Sequence, residues 1–115
     1  MSRRLSSRAG AGPKGSALLF AALGDKTRLH LVFRLSDAGP MSITKLTAGT
    51  RVTRQAITKH LRMMQQAGLV RNQRRGRESV WQLEQRRLED ARRYLDLISK
   101  QWDASLGRLR KFVED

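Results

Sequence analysis

Residues 42–70 of this chain read SITKLTAGTRVTRQAITKHLRMMQQAGLV. Two helix starts lie in this stretch, because Ser42 and Thr53 are good N-cap residues and each precedes apolar residues at helical spacing. The glycine-containing segment 49–52 separates the two runs and favours a tight turn. The sequence therefore predicts a short helix to about Thr47, a turn, and a second helix.

The second helix has two faces of different character. It is predicted to run from Arg54 to about Ala67, and Gly68 follows where a helix C-terminus favours a positive φ. Its inward positions are apolar and comprise Ala56, Ile57, Leu61 and Met64. Its outward positions are polar and comprise Arg54, Gln55, Thr58, Lys59 and Arg62. Such a helix packs on a core with one face and offers hydrogen-bonding groups with the other.

A hairpin is predicted directly after this helix. Leu69–Gln73 and Glu78–Leu83 are typical of strands, and Arg75-Gly76 is typical of a tight turn between them. Helix, turn, helix and hairpin is the layout of a winged helix-turn-helix, whose second helix enters the DNA major groove. The predicted fold class is mainly α with a small β-hairpin wing.

Two further helices are predicted upstream. Ser16 is a plausible N-cap for a helix over Ala17–Leu23, and Gly24 ends it. Asp25 then caps a helix that reaches about Ser36. The apolar residues expected to form the core side of that helix are Leu29, Val32, Phe33 and Leu35. His30 lies among them and is interpreted as structural.

The last segment predicts a long amphipathic helix, from about Arg86 to Val113, which Gly107 is expected to break or bend. Two stripes at seven-residue steps form a seam of the coiled-coil type. Their members are Leu88, Leu95, Trp102 and Leu109 in one stripe and Ala91, Ile98, Ser105 and Phe112 in the other.

These elements divide the chain into three parts. Residues 1–15 are predicted to be a flexible basic arm, 16–85 the winged helix-turn-helix domain, and 86–115 a dimerisation helix. The arm is either a solvated tail or an additional contact to DNA backbone.

Charge identifies the class of partner. The formal net charge is +14 and the acidic residues are absent between Asp37 and Glu78. Nine basic residues lie in that acid-free interval, namely Lys45, Arg51, Arg54, Lys59, Arg62, Arg71, Arg74, Arg75 and Arg77. A solvated face normally mixes both signs, so this segment favours a polyanion. Double-stranded DNA is the partner that this fold and this charge predict together.

Several function classes are disfavoured. The sequence has no cysteine and shows no nucleophile–base pairing, no catalytic carboxylate dyad and no glycine-rich phosphate loop, so we expect no enzyme activity and no cofactor. No apolar run is long enough for a bilayer and no secretory signal is visible, so we expect no membrane partner and a cytoplasmic, nucleoid-associated protein. His60 lies just beyond the outward face and is expected to hydrogen-bond within the domain or to touch phosphate.

The outward residues suit base and phosphate recognition. Gln55 can pair bidentately with adenine, Arg54 with guanine, and Thr58 can offer a hydroxyl or a methyl group. Lys59 and Arg62 suit phosphates by their chemistry. The wing tip carries three arginines suited to a groove edge or a narrow minor groove, and these are Arg74, Arg75 and Arg77.

Four sequence blocks resemble the ArsR-type winged-helix repressors. They are ALGDKTRL at 22–29, VTRQAITKHL at 52–61, AGLV at 67–70 and RRGR at 74–77. The resemblance covers about residues 17–83, and the long last helix suits the dimerisation helix of the family. It implies a homodimer built from the first and last helices that represses a promoter, often its own, at an inverted repeat.

Site residues follow from the resemblance by position. The base-reading set is Arg54, Gln55, Thr58 and Lys59. The DNA-backbone and wing set is Ser42, Thr53, Arg62, Arg74, Arg75 and Arg77. The dimer set is Leu18, Phe20, Leu88, Ala91, Leu95, Ile98 and Trp102.

The sequence departs from the family where signals are sensed. Lys26 stands where the family usually has proline, and Arg51 stands where it often has glycine. Many relatives bind metal through cysteines in the third helix or histidine and carboxylates in the last. In this chain the third helix in chain order, the short one that ends at about Thr47, has no thiolate, and the last helix has no histidine. We therefore expect no metal site at either place.

Alternatives remain open at this point. The basic charge also fits an architectural protein that coats DNA without sequence preference, although Gln55 has little use in backbone binding. The last helix could lie on anionic lipid, but it carries acidic residues among its basic ones. An inducer ligand or partner protein is possible. Trp81, Tyr94 and Trp102 either line its pocket or form core and dimer contacts, the second being the commoner role.

Overall fold

A computed structural model describes residues 13–114 of the chain. The described residues form five helices and three strands. In chain order they are α1 Pro13–Leu23, α2 Lys26–Ala38, β1 Met41–Ser42, α3 Ile43–Thr47, α4 Arg54–Gln66, β2 Val70–Arg75, β3 Glu78–Leu83 and α5 Gln85–Glu114. The mainly α fold with a β-hairpin wing is confirmed.

The helix starts follow the predicted caps. Asp25 Oδ2 accepts a hydrogen bond from Arg28 N at 3.0 Å, and Ser42 Oγ accepts one from Lys45 N at 3.2 Å. Each cap satisfies an amide that has no partner inside its own helix. The first helix differs from the prediction, since α1 begins at Pro13 and contains Ser16. Proline is well tolerated in the first helical turn because its missing N–H is not needed there.

Residues 1–12 of the predicted basic arm lie outside the described residues. Its last three residues, 13–15, belong to α1.

The hairpin is confirmed, but its first strand begins one residue later than predicted and continues through Arg75, so the turn lies at Gly76-Arg77 and not at Arg75-Gly76. β2 and β3 pair antiparallel from Val70 opposite Leu83 to Arg75 opposite Glu78. Gly76 has φ +62° in the turn, a conformation that glycine adopts without steric cost. The sequence analysis missed β1, which adds a two-residue third strand by pairing with the opposite edge of β3.

The core lies between the helices α1, α2, α3 and α4 on one side and the inner face of the sheet on the other. Its largest fully buried side chains include Leu19, Leu31, Leu46, Ile57, Leu61, Met64 and Leu69. The predicted inward residues of α4 are confirmed as buried, apart from Ala56, which is half-buried.

The predicted core side of α2 is partly wrong. Val32 and Leu35 are buried, but Leu29 is 40% exposed and Phe33 66% exposed, while Leu31 takes the core position. His30 is exposed as well, which corrects its interpretation as a structural residue among apolar neighbours. More than half of the circumference of α2 is apolar, and periodicity alone does not show which part faces the core.

The last helix is continuous through Gly107 and does not break there. Its first turns pack on α1, and Phe20 of α1 lies against Tyr94 with ring centroids 5.7 Å apart. From Arg92 onward its residues are exposed apart from Tyr94. None of the described helices has an apolar stretch long enough to cross a membrane.

Candidate nucleic-acid interface

The N-terminus of α4 is fixed by Thr53. This residue has extended backbone (φ −69°, ψ 156°), and its hydroxyl oxygen accepts a hydrogen bond from Ala56 N at 3.1 Å. Arg54 and Gln55 therefore occupy the first turn of the helix. A side chain in the first turn can approach base edges when a helix enters a major groove end-on.

The rotation of α4 is fixed by its buried side. Ile57, Leu61 and Met64 are almost fully buried, and the helix packs on α3, β2 and α2. Because these three side chains cannot leave the core without a large loss of buried apolar surface, the opposite side of the helix must face outward.

The outward side of α4 forms a continuous polar surface. Its members border one shallow depression of about 360 Å³, and they are Arg54, Gln55, Thr58, Lys59 and Arg62. All are exposed except the half-buried Thr58. Thr58 Oγ1 donates a hydrogen bond to Arg54 O at 2.9 Å, so the hydroxyl proton of Thr58 already has an acceptor within the helix. Within residues 13–114, the polar heads of the other four side chains form no hydrogen bond or ion pair.

A second polar groove of about 390 Å³ lies between α4 and the sheet. It is bordered by Arg54, Thr58 and Arg62 together with residues that the sequence analysis missed, namely Gln65, Asn72 and Ser79. Gln65 lies one helical turn after Arg62, a spacing that was available in the sequence. Asn72 and Ser79 lie on different strands, and only the folded hairpin brings them to α4.

The wing presents unpaired cationic groups. Arg74, Arg75 and Arg77 are exposed, and within the described residues none forms an ion pair, although Glu78 stands opposite Arg75 in the ladder. Arg71 is different, since its Nε lies 3.0 Å from Glu84 Oε1 and it therefore belongs to a local ion pair.

Ser42 is placed differently from the other expected DNA-backbone residues. Its side chain is buried, and its hydroxyl serves as the cap of α3. Thr53 is also a cap, but it is exposed at the edge of the outward surface of α4.

His60 hydrogen-bonds within the domain, as one of the two interpretations expected. Its Nδ1 lies 3.2 Å from Arg28 Nη1. Arg28 also donates through Nε to Ala22 O at 2.8 Å and through Nη2 to Ala21 O at 3.2 Å. The arginine thus joins the C-terminal turn of α1 to α4.

The residues expected at a dimer interface fall into two groups. Phe20 and Leu88 are half-buried and Ala91 is buried inside the single chain. The others are apolar and exposed, and comprise Leu18, Leu95, Ile98 and Trp102. The exposed apolar stripe continues to the end of α5 with Leu109 and Phe112.

The three aromatic residues considered for an inducer pocket are not gathered in one place. Trp81 is 4% exposed and belongs to the core, Tyr94 packs on Phe20, and Trp102 is 63% exposed on the distal part of α5. In the part of the chain that the structure describes, no three histidine, aspartate or glutamate side chains cluster in a geometry able to hold a metal ion.

Comparison with known proteins identifies relatives. The family model described as bacterial regulatory protein, arsR family, matches residues 25–72. The HTH-type transcriptional regulator Rv2034 of Mycobacterium tuberculosis is 36% identical over 93 residues, which covers 81% of this chain and 83% of the relative. The uncharacterized HTH-type transcriptional regulator YuzN of Bacillus subtilis is 38% identical over 68 residues, with 54% of this chain and 74% of the relative covered.

A solved structure extends the likeness to the whole fold. An ArsR-like transcriptional regulator from Rhodococcus sp. RHA1 superposes with a TM-score of 0.76 and 32% identity, covering 93% of this chain and 95% of that one. These relatives are transcriptional regulators and not enzymes. The chain therefore belongs to the ArsR family of winged helix-turn-helix transcriptional regulators, which bind double-stranded DNA.

Proposed function

We propose that this protein is a homodimeric repressor that reads an inverted-repeat operator with α4 and contacts the flanking backbone with its wing. The observation that carries the proposal is the outward side of α4, where exposed polar groups begin at a capped helix N-terminus and have no partner within the described residues. Unpaired hydrogen-bonding groups on a rigid helix are what direct base reading requires.

The base-reading roles differ by position. Arg54 and Gln55, in the first turn, suit bidentate pairing with guanine and adenine. Because the hydroxyl proton of Thr58 is already donated to Arg54 O, Thr58 would present its methyl group to a thymine methyl. Lys59 lies one turn after Gln55 and completes the reading set, or contacts phosphate with its flexible ammonium.

Phosphate contacts would surround this centre. Arg62 lies at the far end of the outward surface and Thr53 caps the helix at its start, and we propose that they contact the DNA backbone on either side. Ser42 is buried and caps α3, so its contribution would be to hold that helix rather than to bind phosphate strongly. The wing arginines 74, 75 and 77 would follow the adjacent groove.

Dimerisation would place two such helices on one face of DNA. Four of the expected interface residues are exposed apolar side chains that a partner would cover: Leu18, Leu95, Ile98 and Trp102. Phe20, Leu88 and Ala91 would support the interface from inside each chain by fixing α1 against α5. Half-sites in successive turns of one DNA face lie about 34 Å apart. Repression, including repression of its own promoter, then follows by occupation of the operator in the nucleoid of the cytoplasm.

An architectural role is the second candidate, favoured by the net charge of +14 and by the exposed wing arginines, which form no ion pair within the described residues. Such a protein binds any duplex with a steep dependence on salt. Gln55 favours the repressor, because an uncharged amide in the first turn adds little to backbone binding.

Selection of bound duplexes from a random pool at moderate salt separates the two candidates. We expect a two-fold symmetric motif, with the dimer protecting both halves. Gln55→Ala should lose preference at one base position in each half while retaining affinity for random DNA. Lys100→Ala, a change at an exposed site on α5, is the matched control. Recovery of unselected sequences, with equal affinity for them, would contradict the repressor and support the architectural role.

A further inference from the structure

An apolar groove of about 540 Å³ lies along α2, on a different part of the molecule from the outward side of α4. Leu29 and Phe33 form one wall, and Val52 and Ile57 form the other. Its size lies within the range of small-molecule sites in proteins.

The groove leaves large apolar side chains in water. Leu29 is 40% and Phe33 66% exposed, although both stand on a helix that contributes three residues to the core. They are four residues apart and therefore lie above one another on the same face. A ligand that covered both would remove this apolar surface from water.

The groove also has a cationic end. The charge there is the ammonium of Lys26; His30 lines the groove one turn further along and offers a ring nitrogen for hydrogen bonding. None of the lining residues is acidic. The neighbouring carboxylate of Asp25 is directed elsewhere, since it accepts from Arg28 N and lies 4.0 Å from His60 Nδ1. The distance from Lys26 to Phe33 along the helix axis is about 10 Å, comparable with a medium-length alkyl chain.

We propose that this groove binds an amphiphilic carboxylate of the fatty-acid type. The carboxylate would pair with the ammonium of Lys26 and accept a hydrogen bond from His30, and the alkyl chain would lie over Leu29 and Phe33. The charge of the rim selects an anion over a cationic amphiphile, and the apolar walls select a chain over a small anion such as phosphate.

Binding would be felt at α4. Val52 precedes the cap residue Thr53, and Ile57 is the buried underside of α4. Thr50 stabilises the turn that joins α3 to α4. Its Oγ1 accepts a hydrogen bond from Val52 N at 3.2 Å and donates one to Thr47 O at 3.1 Å. A chain pressed against Val52 would shift the start of α4. This coupling rests on the proposed DNA-reading role, whereas the binding of the carboxylate does not.

Calorimetric titration of the full chain with decanoate, below its micellar concentration, tests the site. We expect saturable binding of one decanoate per chain, weakened at least about tenfold by Phe33→Ser and by Lys26→Glu. Decan-1-ol should bind more weakly and be indifferent to Lys26→Glu. Leu97→Ser, at an exposed leucine of α5 outside the groove and outside the seam, is the matched control and should leave decanoate binding unchanged. Circular dichroism confirms that each variant is folded.

Three results would overturn the site: equal affinity in wild type and Phe33→Ser, equal affinity for decyltrimethylammonium, or no decanoate binding. The oligomeric state of Phe33→Ser is measured as well, because a change in it combined with no decanoate binding has a distinct meaning. That combination would mean that a second copy of the chain covers the groove. For the coupling, decanoate should change the affinity for a selected operator, and the operator should change the affinity for decanoate by the same factor. An operator affinity that saturating decanoate leaves unchanged would contradict the coupling. Decanoate binding without any operator binding would refute the proposed function and leave the carboxylate site standing.

Discussion

The Nε of Arg87 donates a hydrogen bond of 2.8 Å to the carbonyl oxygen of Ala67, which joins the start of α5 to the C-terminal end of α4. The same guanidinium donates to Gly15 O at 2.6 Å and to Asp90 Oδ2 at 3.1 Å. Its side chain is 12% exposed. One arginine thus connects α1, the proposed reading helix and the proposed dimerisation helix.

Replacing Arg87 with methionine should destabilise the protein. The change keeps an apolar stem but leaves the carbonyls of Ala67 and Gly15 without their charged donor. We expect the free energy of unfolding to fall by about 2–4 kcal/mol. Urea denaturation at fixed protein concentration measures it. Arg92→Met is the matched control, because Arg92 is exposed and its ion pair with Glu89 is long, at 3.9 Å. This change should alter stability by no more than about 0.5 kcal/mol. Equal effects would contradict the connecting role.

Gly68→Ala should also be destabilising, for a backbone reason. Gly68 has φ +77°, and an added Cβ would lie 3.4 Å from Cδ and Nε of Arg87. The left-handed conformation alone costs a non-glycine residue about 1–2 kcal/mol. Gly107→Ala provides the opposite case, since Gly107 lies within α5 with open space around its Cα. There we expect a gain of about 0.5–1 kcal/mol, from the loss of chain entropy in the unfolded state. Thermal unfolding of both variants in parallel gives the two signs.

The cap of α2 should make the free energy of unfolding depend on pH in the acid range. The amide of Arg28, which donates to Asp25, holds the pKa of this carboxyl below its usual 3.8, and the charges of Arg28 and His60 act in the same direction. A depressed pKa in the folded state contributes stability above the unfolded pKa, and that contribution disappears as the pH falls through the folded pKa. Asp25→Asn should therefore be less stable than wild type at neutral pH. The difference should shrink below pH 3.8. A difference independent of pH in urea titrations would show that the charge of Asp25 is irrelevant.

Local signals account for what could be predicted from sequence. The caps at Asp25, Ser42 and Thr53 and the positive φ of Gly68 depend on hydrogen bonds or steric limits within a few residues, so residue type reports them directly. The outward side of α4 was predicted for a similar reason, since its apolar residues occupy a single stripe.

Non-local contacts account for what was missed. Arg87 reaches Gly15 across 72 positions of sequence, and no local pattern distinguishes it from the exposed arginines beside it. The strand β1 exists only because Met41 and Ser42 pair with β3. Leu29 and Phe33 were assigned to the core because they recur at helical spacing with Val32, but α2 is apolar around more than half of its circumference. Which part is buried depends on α1 and α4 rather than on α2 itself.

The wing should contribute to DNA affinity without reading bases. Arg75→Gln removes one exposed guanidinium that has no partner within the described residues. We expect weaker binding to every duplex and a decrease of about 1 in the slope of log affinity against log salt concentration. Fluorescence anisotropy over a salt series, on the selected operator and on an unrelated duplex, measures both. Arg92→Gln is the control for the loss of one charge far from the interface. If Arg75→Gln altered preference between duplexes instead, the wing would be reading sequence.

The seam of α5 should determine the oligomeric state through Trp102. This side chain is 63% exposed in the single chain and stands in the same stripe as Leu95 and Leu109. Buried tryptophans are frequent hot spots of interfaces, where truncation costs about 2 kcal/mol or more. We therefore expect Trp102→Ser to raise the dimer dissociation constant at least about thirtyfold. Sedimentation equilibrium measures the constant, and Leu97→Ser, outside the seam, is the matched control.

The intrinsic affinity of one reading helix for a single half-site should stay unchanged, because Trp102 is remote from α4 in the chain and belongs to a different surface. Affinity for the full inverted repeat should fall, since two reading helices would no longer bind as one unit. An unchanged dissociation constant would place the dimer contact elsewhere on the molecule, and a parallel loss of half-site affinity would show that Trp102 acts by holding the fold together.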